Sequence, residues 1–172
     1  MRRWIFPLIL GVVAALVAYQ AALVSAPRFL MGAAIKRVGQ GGMNQMTHAP
    51  LATDRSHAIV RPSPDLAYSS CPFDLSAGPV RIEVPPIPSA YWSLSVFDAR
   101  TDVVFVRNNV ETKGQGLDLA LASGDAPPSG QGPTVRVKGN RGIALVRVLV
   151  EDRTAFAPID AARRKASCGA VR

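Results

Sequence analysis

Between Trp4 and Val24 the chain carries no charged residue, and Met1-Arg2-Arg3 precedes this run. About 21 apolar residues in a helix span about 32 Å, which matches a bilayer hydrocarbon core of about 30 Å. Trp4 and Tyr19 suit the membrane–water interface. A cleaved signal peptide is the competing reading, because Val24-Ser25-Ala26 places small residues where a signal peptidase cuts. Two features favour an uncleaved anchor. The apolar run exceeds a usual signal core, and Pro27 would follow the cut. Residues 1–26 are therefore expected to form a single transmembrane helix in the bacterial inner membrane, inserted through residues 4–24. Arg2 and Arg3 favour a cytoplasmic N-terminus, while Arg28, Lys36 and Arg37 on the other flank pull the opposite way.

Beyond the anchor the pattern changes twice. Phe29, Leu30, Ala33, Ala34 and Ile35 alternate with Arg28, Lys36 and Arg37, which reads as a short amphipathic helix, continuing the anchor or lying on the membrane. Gly39 to Gly42 ends it, and residues 27–54 form this helix and a neck. From residue 55 the period becomes two. Val80-Arg81-Ile82-Glu83-Val84, Trp92-Ser93-Leu94-Ser95-Val96 and Val135-Arg136-Val137-Lys138 alternate as half-exposed strands do. Val103–Arg107 and Ile143–Val150 are more apolar and read as central strands. Weaker strands fit His57–Arg61, Leu66–Cys71 and Leu117–Leu121. Turn chemistry separates them at Gly78-Pro79, Pro85-Pro86, Asn108-Asn109, Gly124 to Pro133 and Gly139-Asn140. About eight short strands at this spacing predict an all-β domain, a β-sandwich of jelly-roll type, over residues 55–155. Residues 156–172 are expected as a basic tail holding a short exposed helix.

The net charge of +8 comes mostly from single arginines spread along the strands. Without basic–aromatic interleaving this pattern argues against nucleic acid. The dense cluster Arg163-Arg164-Lys165 suits an anionic lipid surface, at about 1 kcal/mol per charge. Cys71 and Cys168 are too few for a disulfide scaffold and wrongly spaced for zinc. They either remain two thiols or form one bridge, which would suit a domain in the oxidising periplasm.

Several blocks are distinctive: Val60 to Ser70 (Val-Arg-Pro-Ser-Pro-Asp-Leu-Ala-Tyr-Ser-Ser), Phe73 to Val80, Tyr91 to Asp98, and Thr101 to Val106. Their Pro-Asp, Tyr-Ser, Asp-Leu-Ser, Tyr-Trp-Ser-Leu and Asp-x-x-Thr-Asp elements occur in the right order to resemble DUF1254, a bacterial family of unknown function. The resemblance covers roughly residues 45–155. In longer members a companion DUF1214 domain follows. The resemblance therefore implies that this short anchored form pairs with a companion-domain membrane protein. It brings no catalytic residues with it.

Asp65, Tyr68, Asp74, Asp98 and Asp102 are the polar heart of that resemblance. Carboxylates brought together would bind a small ligand or cation, or perform acid–base hydrolysis; taken singly, the same residues cap turns and corners. Met43-x-x-Met46-x-His48 has soft donors suited to Cu(I), but it equally suits an apolar neck, and no metal or cofactor is assigned. Ser69 and Ser70 lie in no nucleophile elbow. Cys71 beside His57 is a weaker nucleophile candidate than a strand-end thiol or bridge. The glycines at 114–116 and 124–132 match no phosphate loop. Tyr91, Trp92 and Phe97 would form a sugar platform only if alternation did not send Trp92 inward. The expected function is a non-enzymatic envelope interaction module. The alternative is a periplasmic ligand binder or hydrolase built on Asp65, Tyr68, Asp98 and Asp102.

Overall fold

The computed structural model describes residues 2–53, 62–124 and 132–171. The strand expected at His57–Arg61 lies outside them. One helix, α1 (Arg2–Val38), takes in both the apolar run and the amphipathic segment without a break. It is long and apolar enough to cross a membrane. Pro7 and Pro27 both lie inside it. Pro27 has no N–H for the fourth carbonyl back. Nearby, Ser25 Oγ donates to Ala21 O at 2.7 Å and Arg28 Nη1 to Val24 O at 2.8 Å. A 3-10 turn at Gly39–Gly41 then breaks the helix, and Gly42, at φ 107°, adopts a backbone that side chains resist.

Among the described residues, nine strands follow in two sheets. The first contains β1 (Thr47–His48), β2 (Leu66–Asp74), β4 (Trp92–Asp98), β5 (Val103–Asn108) and β8 (Arg141–Leu149), ordered β1-β2-β8-β4-β5. The second contains β3 (Val80–Val84), β6 (Leu117–Ser123), β7 (Thr134–Val137) and β9 (Ser167–Ala170), ordered β7-β6-β3-β9. All pairings are antiparallel except β6 with β7. A short helix, α2 (Phe156–Arg163), joins β8 to β9.

Alternation decides what each strand buries. Ala67, Cys71 and Phe73 of β2 share a face with Ala144, Val146 and Val148 of β8 and with Trp92, Leu94 and Val96 of β4. Across from them lie Val80, Ile82 and Val84 of β3, Leu119 and Leu121 of β6, and Val135 and Val137 of β7. All belong to one buried cluster. The result is a sandwich-like pair of sheets around a single core. Cys71 and Cys168 are joined by a disulfide that ties β2 of one sheet to β9 of the other.

Three segments differ from the sequence expectation. Pro72 does not end β2, which runs on to Asp74. The carbonyl of Pro72 accepts from Asn44 N, so its nitrogen faces the same outer side and no ladder bond to β8 is lost. β5 was expected near the sheet centre for its apolar content, but it is an edge strand with Val103 and Val106 exposed. Composition reports apolarity, not neighbours. The C-terminal segment is not a tail: β9 pairs with β3, and four small residues, Ser-Cys-Gly-Ala, carry too weak a pattern to announce a strand.

The last three turns of α1 pack on the domain. Pro27, Met31, Ala34, Ile35 and Val38 form a stripe at helical spacing in which Met31 is buried and the others are partly covered. Helix α1 lies against β2 and β8. Gly39 is close enough to Pro72 that an added Cβ would meet the proline ring at 3.5 Å.

Candidate functional site

The conspicuous acids of the sequence lie at the two ends of the first sheet. At one end, Pro64 and Asp65 turn the chain into β2, and Asp65 O accepts from Val150 N at 2.8 Å. The Asp65 carboxylate is exposed. Tyr68, three residues into the strand, reaches back so that its hydroxyl accepts the Ser63 N–H at 3.1 Å. That bond ties the corner between loop and strand.

Asp98 ends the inward row of Trp92, Leu94 and Val96 at the opposite end and is fully buried. Its Oδ1 accepts the N–H groups of Arg100 (2.7 Å) and Asp102 (3.0 Å). Its own N–H donates to Asp102 O, and its carbonyl accepts from Thr101 N. Thr101 sits at φ 68° inside this turn. Asp98 therefore holds the β4–β5 hairpin shut from within. Its Oδ2 has no hydrogen-bond partner among the described residues. Asp102 points to solvent and faces Arg100 at 3.6 Å.

The register of β8 separates the two ends. Leu149 pairs with Leu66, whereas Gly142 pairs with both Phe73 and Asp98. Seven strand residues correspond to roughly 23 Å. Asp65 and Tyr68 on one side, and Asp98 and Asp102 on the other, do not share a pocket. Asp74 lies at the Asp98 end, but alternation puts it on the outer face. There the Ser76 hydroxyl and N–H, with the Arg141 guanidinium at 2.7 Å, hold its carboxyl down at about 2. The extended rise of the strands sends acids that stand close together in sequence to separate corners.

The remaining candidates are also accounted for locally. Met46 packs against the core, and His48 Nδ1 lies 2.9 Å from Ser69 Oγ. Among the described residues no group of three or more His, Cys, Asp or Glu is placed to hold a metal ion. Trp92 is buried while Tyr91 is exposed, and Phe97 lies on the opposite face, so the three form no platform. His57 lies outside the described residues.

Arg163 was expected in an exposed basic cluster, yet it is fully buried. Its Nη1 donates to Tyr68 O (2.6 Å) and Ser69 Oγ (3.1 Å), and its Nη2 to Ala49 O (3.0 Å) and the Asp160 carboxylate. Its guanidinium lies over the Phe156 ring. This side chain sews α2 to β2 and to the segment after β1. Burial alone would raise the Asp160 carboxyl, but hydrogen bonds from Arg164 and Arg163 hold it below its ordinary value. His48, beside the same group, is lowered by its own burial and by the charges of Arg163 and Arg164. Asp160, three residues before Arg163, was the one sequence signal that this arginine has a local partner.

A family description covers most of this architecture. Residues 43–169 match the model for "Protein of unknown function (DUF1254)". The chain belongs to the DUF1254 family. The match begins just before β1 and ends within β9, so the DUF1254 domain includes the sandwich, α2 and the bridged C-terminal strand. No curated protein matches this chain. Two solved structures share the fold described here. The VPA0106 protein from Vibrio parahaemolyticus is 14% identical with a TM-score of 0.61, over 84% of this chain and 37% of its own. An uncharacterized protein from Burkholderia cenocepacia is 17% identical with a TM-score of 0.50, over 88% of this chain and 41% of its own. This chain thus spans about two fifths of the length of each.

Proposed function

We propose that this DUF1254 chain is a single-pass inner-membrane protein whose domain lies in the periplasm and works as a non-catalytic interaction module. One observation carries the anchoring. Every side chain from residue 5 to residue 26 is exposed, including Ile5, Phe6, Leu8, Leu16 and Val17. A bare apolar surface of that length is untenable in water and natural in lipid. The cleaved-signal alternative is disfavoured because α1 runs unbroken past the cut region and packs through Met31 on the domain. The Cys71–Cys168 bridge favours an oxidising compartment. In this reading the sandwich, with a jelly-roll-like winding, is held directly on the bilayer by the last turns of α1.

The partner reading rests on the dispersal of the conspicuous acids. The turn-bound acids offer no shared pocket for a substrate. The partner in this reading is a companion-domain membrane protein. The test is affinity purification of the tagged full-length protein from native membranes in mild detergent. The reading expects a companion-domain membrane protein to co-purify and to be lost when residues 43–169 are deleted. Recovery of the tagged protein alone contradicts it.

A further inference from the structure

Arg147 of β8 and Ser93 of β4 stand directly opposite each other, on the face of the first sheet turned away from the second. Alternation fixes that face. Val146 and Val148 point into the core, so Arg147 points out, and the inward Leu94 sends Ser93 and Ser95 out beside it. Polar groups on an outer face ordinarily meet water. Here Ser93 and Ser95 are each only 1% exposed, and Arg147 is half-buried.

The chain supplies almost nothing for these groups to bond. Arg147 Nη2 donates to Ser95 Oγ at 3.2 Å. Arg147 Nε and the Ser93 hydroxyl are buried and have no partner among the described residues. No carboxylate among them forms an ion pair with this guanidinium. Arg163 is the contrast: its burial is matched by Asp160 and by the oxygens of Tyr68, Ser69 and Ala49. A guanidinium carries donors only, and each serine adds an O–H. The site is therefore rich in donors, short of acceptors and without a counter-ion. Withdrawing such groups from water is costly unless an acceptor with negative charge returns the loss.

We infer that Arg147, Ser93 and Ser95 bind the carboxylate of a small amphiphilic monoacid. Charge selects among anions. Arg147 is the one charged residue in its row across the sheet, between Tyr68 and Ser93, and the next row, Ser70, Leu145, Ser95 and Val106, holds none. One guanidinium balances one negative charge, whereas a phosphate dianion would leave a surplus in a half-buried site. A carboxylate also matches the planar fork of the guanidinium. The same face provides ground for an apolar body. Leu145 and Val106 flank Ser95, and Ile143, Phe97 and Val103 form the row beyond. Val106 is 49% exposed and Val103 56%. From the Arg147 row to the Ile143 row the strand rises about 13 Å. A ligand with its carboxylate on Arg147 and its hydrocarbon along this tract meets both chemistries. The inference is independent of the proposed pairing with a companion protein and adds a ligand to the domain.

The test titrates hexanoate against the full-length protein in amphipol, read by saturation-transfer nuclear magnetic resonance. Acetate lacks the apolar body, hexanol lacks the charge, and hexyl phosphate carries a second charge. The expected result is saturable binding of hexanoate, with each of the other three about tenfold weaker or more. Arg147→Met keeps the aliphatic stem and should weaken hexanoate about tenfold, the loss of a charge-assisted bond. Ser93→Ala should weaken it less. Val106→Asn, at an exposed position, should weaken hexanoate and leave acetate unchanged, so the inference remains testable if Arg147→Met fails to fold. Equal binding of hexanoate and hexanol overturns the inference, as does hexyl phosphate binding more tightly than hexanoate. Unchanged hexanoate affinity in folded Arg147→Met or Ser93→Ala overturns it too. So does the absence of saturable hexanoate binding, which would leave the unpartnered donors to water alone.

Discussion

Replacing Arg163 by methionine keeps much of the side-chain bulk and removes the guanidinium. The donors to Tyr68 O, Ala49 O and Ser69 Oγ disappear together, though Tyr68 O keeps the Ala49 N–H and Ser69 Oγ keeps His48 Nδ1. Each buried acceptor left without a partner costs about 1–3 kcal/mol. Asp160 loses less, because it is partly exposed and keeps Arg164 at 2.7 Å. Against these losses stands a gain: a buried charge and its unpartnered Nε no longer have to be desolvated. The balance predicts a net loss of about 1–3 kcal/mol. Urea unfolding of the full chain in detergent, followed by near-ultraviolet circular dichroism from buried Trp92, measures it. Hydrogen exchange should also show Thr47 and His48 losing protection first, since Arg163 holds the segment after β1. A loss below about 1 kcal/mol, with β1 unchanged, would refute the view that Arg163 fastens the neck to the domain.

Other perturbations test separate parts of the fold. Changing both Cys71 and Cys168 to serine removes a bridge across 97 residues and should cost about 2–5 kcal/mol, read as a lower urea midpoint that reductant reproduces in the natural chain. Gly142→Ala should fail to give folded protein, because a Cβ there collides with the Phe97 carbonyl and the Phe73 ring; a normal melting curve would show the β8–β4 register to be wrong. Acid should weaken the domain in two stages. His48 is lowered in the folded state, so its contribution is whole above the ordinary value of 6.5 and falls as pH drops below it. Asp74, held at about 2, contributes above its ordinary 3.8 and loses that contribution between about 4 and 2. His48→Asn should abolish the first stage alone in a pH series of urea midpoints.

Much of the architecture is legible in the sequence because it depends on period. The alternation of Val80–Val84 and Trp92–Val96 announces half-buried strands, and the uncharged run before Val24 announces a long apolar helix. What the sequence hides depends on neighbours. Val103–Arg107 is as apolar as a central strand, yet only sheet order makes it an edge. Arg163 sits in a run of three basic residues, and only the packing of α2 against β2 distinguishes it from Arg164 and Lys165. The acids mislead for a related reason. Asp65 and Tyr68 flank one corner and Asp98 and Asp102 another, and a local motif holds no information on the roughly 23 Å of strand between them. The DUF1254 resemblance is carried by these corners, which explains why its polar residues serve turns in this chain.

The most direct test of the account is the intact mass of the protein extracted from native membranes without reductant. An uncleaved anchor bearing an oxidised domain predicts a chain that retains the Trp4–Val24 segment and is two hydrogens lighter than its sequence. A chain beginning near Pro27, or one with both thiols free, would contradict it.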